Sequence, residues 1–86
     1  MTEAEFDILR KLVLGAAKSD LCPADLPLDL ALFEDGLGMD SFAVVDLVMG
    51  VEGAFGVQFR EADFVVENFA DIRAIAALVG RRRSGN

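Results

Sequence analysis

The 86-residue sequence predicts an all-α fold: a small bundle of three main helices plus a short third one, with a long loop between the first two. Two observations carry this. Apolar residues recur at the helical period of 3.6 along most of the chain, and no segment sustains the period-2 alternation of a strand. A third is the placement of capping residues and glycines at the ends of the periodic stretches.

The first helix is expected over residues 3–18. Thr2 followed three residues later by Glu5 is a capping-box pattern. Phe6, Leu9, Val13 and Ala16/Ala17 form an apolar stripe, widened by Ile8 and Leu12. Residues 19–40 read as a loop, because Pro23, Pro27, Gly36 and Gly38 interrupt any regular helix. Leu21, Leu26, Leu28, Leu30, Leu32, Phe33 and Leu37 require that loop to lie across a core, with a helical turn somewhere in 29–34. The second helix is expected over 41–55, with Asp40 as N-cap and Gly56 just beyond its end. Its leading stripe is read as Phe42, Val45, Val48/Met49 and Glu52 or Phe55, with Val44, Leu47 and Val51 alongside. A short helix near 61–66 follows. The last helix is expected over 69–80, capped by Asn68, buried through Ile72, Ile75/Ala76 and Val79, and ended by Gly80. The domain is thus read as 1–80, with 81–86 as a flexible basic tail.

Composition narrows the function. The chain has no histidine, which removes the commonest general base and metal ligand. Its one cysteine, Cys22, allows no internal disulfide and is expected to be a small buried hydrophobe. Neither an enzyme nor a metal site is expected. A calcium loop built on Asp29, Asp35 and Asp40 lacks the alternating ligands and terminal glutamate that such a loop needs. The net charge of −7 is concentrated in residues 34–67, which hold eight acids against Arg60. That segment would repel nucleic acid and anionic lipid and attract basic protein surfaces, or simply be a solvated face. No stretch is long and apolar enough to cross a membrane, and the acidic N-terminus does not read as a signal peptide. A cytoplasmic monomer is expected.

The run Phe33-Glu34-Asp35-Gly36-Leu37-Gly38-Met39-Asp40-Ser41-Phe42 carries the most specific signal. It resembles the loop-to-helix signature of acyl carrier proteins, and Asp46-Leu47-Val48-Met49, Glu52 and Phe55 continue the likeness. The order of helices extends it over residues 3–80. The resemblance implies that Ser41, next to Asp40, bears a 4′-phosphopantetheine arm derived from coenzyme A. It also implies partners: a phosphopantetheinyl transferase, which supplies base and Mg²⁺, and acyl-loading and acyl-processing enzymes. Helix 2 would be the recognition helix, with Glu34, Asp35, Phe42, Asp46, Met49 and Glu52 as candidate partner contacts. Val45, Met49, Phe64 and Ile72 are candidate cargo lining, each equally readable as ordinary core. Gly36 and Gly38 are read as clearing bulk so that the transferase can close over Ser41.

Several positions depart from the family pattern. Phe42 replaces a leucine, Ala43 stands where an acid is common, Gly50, Gly53 and Ala54 replace larger or acidic residues, and Asp71 replaces a threonine. The segment between Phe59 and Phe69 is slightly long. Met39 separates the chain from peptidyl carriers, which show Gly-Gly there. These departures point to a specialised lipid, polyketide or aminoacyl pathway. The rival reading is an unmodified helical protein-interaction module.

Overall fold

The chain enters its first helix through a reciprocal cap. Thr2 Oγ1 accepts from the Glu5 backbone N–H at 3.2 Å, and Glu5 Oε1 accepts from the Thr2 N–H at 3.0 Å. The computed structural model describes residues 1–33 and 36–85. Helix α1 spans Glu3–Ala17, α2 spans Ser41–Phe55 and α3 spans Ile72–Gly85. No strand occurs among the described residues. No described helix is long and apolar enough to cross a membrane.

Helix α1 packs against both α2 and α3. Leu9 and Val13 from α1, Leu47 and Val51 from α2, and Ile72, Ile75, Leu78 and Val79 from α3 meet in one core. Full burial of such side chains is worth roughly 1.5–3 kcal/mol each before entropy is counted. Ile8, read as part of the α1 stripe, is exposed instead.

The described residues of the 19–40 loop cross this core as expected. Leu26 and Leu32 are fully buried, while Leu21 remains exposed. The loop's backbone is held at each pass. Leu26 C=O accepts from Arg10 Nε at 3.2 Å, Leu28 C=O accepts from Arg73 N–H at 3.2 Å, and Leu32 N–H donates to Ala70 C=O at 3.0 Å. Among its described residues the 3₁₀ turn falls at Pro23–Asp25, earlier than the expected 29–34. Proline is suited to such a first turn because its fixed φ is already helical. Cys22, just before it, is exposed rather than buried.

The short helix expected near 61–66 is replaced by two 3₁₀ turns, Glu61–Asp63 and Val66–Phe69. Asn68 does not cap the last helix. Its Nδ2 donates to Asp63 C=O at 2.9 Å, and Asp71 Oδ1 takes the Ala74 N–H at 2.8 Å as the cap of α3. Nor does the helix stop at Gly80. It runs on to Gly85, so Arg81–Arg83 lie on α3 and not on a tail. The cost of a mid-helix glycine, about 1 kcal/mol, is offset by anchors beyond it. Arg82 pairs with Asp63 at 2.9 Å, and Arg83 pairs with Glu5 at 2.7 Å and lies 5.8 Å above the Phe55 ring. Cations in a last turn also suit the helix dipole.

Candidate functional site

Helix α2 begins where the sequence places it, and the reason is local. Asp40 is extended (φ −100°, ψ −177°), and its Oδ1 accepts from the Ala43 N–H at 2.9 Å. Ser41 is therefore the first helical residue, and it is exposed. The approach to it is rigidly specified. Gly38 N–H donates to Phe33 C=O at 2.8 Å, and Met39 N–H donates to Leu32 C=O at 2.9 Å, with Met39 buried. Gly38 has φ +70°, a left-handed value that glycine adopts without penalty. A Cβ at Gly36 would overlap the Ala31 carbonyl. The two glycines thus serve the loop's own path, a reason different from clearing space for an enzyme.

Beside Ser41 lies an apolar groove of about 350 Å³. Ser41, Val44 and Val45 line it from α2, and Phe64, Val65, Val66 and Phe69 line it from the second 3₁₀ turn and the two residues before it. Phe64 stacks parallel to Phe69 at 6.2 Å between ring centroids, and Phe59 meets both edge to face at 6.4 and 6.2 Å. Of the candidate cargo residues, Val45 and Phe64 line this groove. Ile72 is fully buried core, and Met49 projects outward from α2. Phe33, Met39, Val44, Val65, Val66 and Phe69 were missed by sequence reasoning. The usable signal was the apolar run Phe64-Val65-Val66 in a segment too short to bury it.

Asp63 anchors the segment that leads into Phe64. It is 5% exposed, the one buried charged residue among those described. Its Oδ2 accepts from Arg60 N–H at 2.8 Å and its Oδ1 from Arg82 at 2.9 Å. The Arg60 backbone donor first, and then the Arg82 guanidinium, hold its carboxyl below the ordinary range, against the opposing effect of burial. Nineteen residues separate Asp63 from Arg82, so no short-range pattern announces the pair.

The candidate partner contacts divide. Phe42 and Met49 are exposed large apolar side chains, and Asp46 is exposed beside them. Phe42, Asp46 and Asp40 share a smaller hollow of about 190 Å³ with Ala16, Ala17 and Lys18 at the end of α1. Glu52 is turned inward, where its Oε2 accepts from the Phe59 N–H at 2.8 Å and ties α2 to the following loop. Glu34 and Asp35 lie outside the described residues.

The geometry suits a tethered anionic group. Ser41 offers an exposed hydroxyl at a helix start, where unpaired N–H groups and the dipole favour negative charge, and an apolar groove adjoins it. The profile of a family described as "phosphopantetheine attachment site" matches residues 9–79. The chain belongs to this family of carrier domains, which are not themselves enzymes and which hold 4′-phosphopantetheine covalently. Such a carrier works with a modifying transferase and with acyl-processing enzymes.

Proposed function

We propose that this protein is an acyl carrier in which Ser41 bears the 4′-phosphopantetheine arm. The supporting observation is the placement of Ser41: exposed, first in α2, with Asp40 capping the turn and the apolar groove adjoining. The arm supplies a terminal thiol on which an acyl group is held as a thioester. The chain's own residues present and orient. Asp40 fixes the turn, so that Ser41 Oγ faces solvent with a defined backbone behind it. No histidine is present in the chain, and the Asp40 carboxylate is turned onto Ala43 N–H. The base that takes the serine proton during modification therefore belongs to the transferase. Ser41 Oγ then bonds the phosphorus as the pyrophosphate P–O bond of coenzyme A breaks, and adenosine 3′,5′-bisphosphate leaves.

The groove's valine and phenylalanine lining supports an apolar acyl cargo in preference to a charged aminoacyl one. A specialised lipid or polyketide pathway fits the altered outward face of α2 best. Gly53 and Ala54 are exposed there, whereas Gly50 is explained internally by Leu12, whose Cδ2 would lie 2.9 Å from an added Cβ.

Intact-mass measurement after incubation with coenzyme A, Mg²⁺ and a phosphopantetheinyl transferase tests the assignment. Wild type gains one phosphopantetheine, and Ser41→Ala gains none. An unmodified wild type, or a modified Ser41→Ala, overturns it; the first result would favour the interaction-module reading.

A further inference from the structure

Two cavities flank Ser41. The serine itself lines the apolar groove, while its neighbours Asp40 and Phe42 line the hollow of about 190 Å³ between the end of α1 and the start of α2. No cation lines the groove among the described residues. One lines the hollow: Lys18, together with the carboxylates of Asp40 and Asp46. Asp40 is engaged with the Ala43 N–H. No ion pair among the described residues involves Lys18, which is exposed. Its backbone is also unusual. Lys18 closes α1 at φ 54°, ψ 43°, the one non-glycine residue with positive φ among those described. Glycine holds such a helix-ending position without strain, and lysine does not. A side chain retained where the backbone favours glycine points to a use for that side chain. Taking the arm on Ser41 as proposed above, we infer that Lys18 is a positioning residue for it: the ammonium pairs with the arm's phosphodiester and draws the first part of the arm to the hollow side of Ser41.

The local charge carries the argument. A phosphodiester on Ser41 adds a negative charge beside Asp40 and Asp46, and like charges at such range repel. The N–H groups at the start of α2 offset part of this, but Asp40 already accepts from one of them. Lys18 is the single cation lining either cavity among the described residues, so it is the side chain placed to balance the added charge. A compact ammonium with three rotatable donors is a suitable partner for a phosphate oxygen. The pairing leaves the groove on the other side of Ser41 to the acyl end of the arm. A cation just past the end of α1 also suits that helix's dipole. That effect is the same with and without the arm, so the difference between holo- and apo-protein isolates the pairing.

Paired thermal melts of apo- and holo-protein at low ionic strength test this, with loading checked by intact mass. Holo wild type should melt roughly 2–4 °C above apo wild type, the size that an exposed charge pair gives in a domain this small. Lys18→Gln loses most of that gap, and Lys18→Arg keeps it. Lys18→Gly should melt higher than wild type as apo-protein, because glycine relieves the strain, and still lose the gap. An isotope-labelled arm gives a second readout: its first amide should show a higher heteronuclear NOE in wild type than in Lys18→Gln. A gap of equal size in wild type and Lys18→Gln, or no gap in wild type, overturns the pairing while leaving Ser41 as the attachment point. A wild type that gains no phosphopantetheine by mass overturns the Ser41 assignment instead.

Discussion

Asp63 joins distant parts of the chain through one side chain and its own carbonyl. The carboxylate takes Arg60 N–H and Arg82, and the carbonyl takes Asn68 Nδ2. Replacing it by asparagine leaves one of two inward donors facing an amide N–H₂. We predict that Asp63→Asn destabilises by about 1–3 kcal/mol, the usual cost of an unsatisfied buried group, measured by urea unfolding. Arg82→Met should cost less. Arg82 Nε is already buried without a partner among the described residues, and methionine keeps the stem's packing while shedding that donor. At Gly38, φ +70° makes any Cβ unfavourable although space is open around it. Gly38→Ala should therefore lose roughly 1–2 kcal/mol by backbone strain alone. Sequence reading saw that Gly38 mattered but assigned it to the partner's convenience, since φ is not visible in a one-dimensional pattern.

Helix α2 shows what periodicity can and cannot decide. Its boundaries follow from Asp40 and Gly56, and both residues act as read, with Gly56 closing the helix by donating to Glu52 C=O at 2.9 Å. Its buried face does not follow. Apolar residues surround the helix, so the Phe42, Val45, Met49 stripe and the Leu47, Val48, Val51 stripe are equally periodic. Packing against α1 chose the second. Glu52 was misplaced for the same reason: its use on Phe59 N–H depends on where the next loop returns. The two glycines of α2 separate cleanly. Gly53 has nothing within 4 Å of an added Cβ, so Gly53→Ala should raise stability by roughly 1 kcal/mol through helix propensity. Gly50→Ala should gain less, because Leu12 must turn aside. Thermal melts of the two variants in parallel check the contrast. The end of α3 was illegible because Arg81–Arg83 look like a tail until Asp63 and Glu5 are brought to them by tertiary folding.

Across the whole molecule, acid should loosen the fold. Asp63 is held below the ordinary carboxylate range by Arg60 N–H and Arg82, and Glu5 by Thr2 N–H and then Arg83. Groups with depressed folded-state pKa values contribute fully above their unfolded pKa and lose that contribution as pH falls through the folded value. Stability should thus be level near neutrality and fall below about pH 4, with a shallower fall in Asp63→Asn; denaturation midpoints across pH 2–7 test this. The all-helical architecture and the start of α2 were readable because caps and period are local. The groove wall at 64–69 was only partly so, since its 3₁₀ turns depend on Asp63 finding α3. The Arg83 contacts with Glu5 and Phe55 also fix where the backbone leaves the bundle. They bring the beginning of α1 and the last turn of α3 to the end of α2 that lies opposite Ser41, about 22 Å away along a 15-residue helix. A fluorescent protein or an affinity tag joined at either terminus would hang from the same pole of the molecule, leaving the pole that carries Ser41 uncovered.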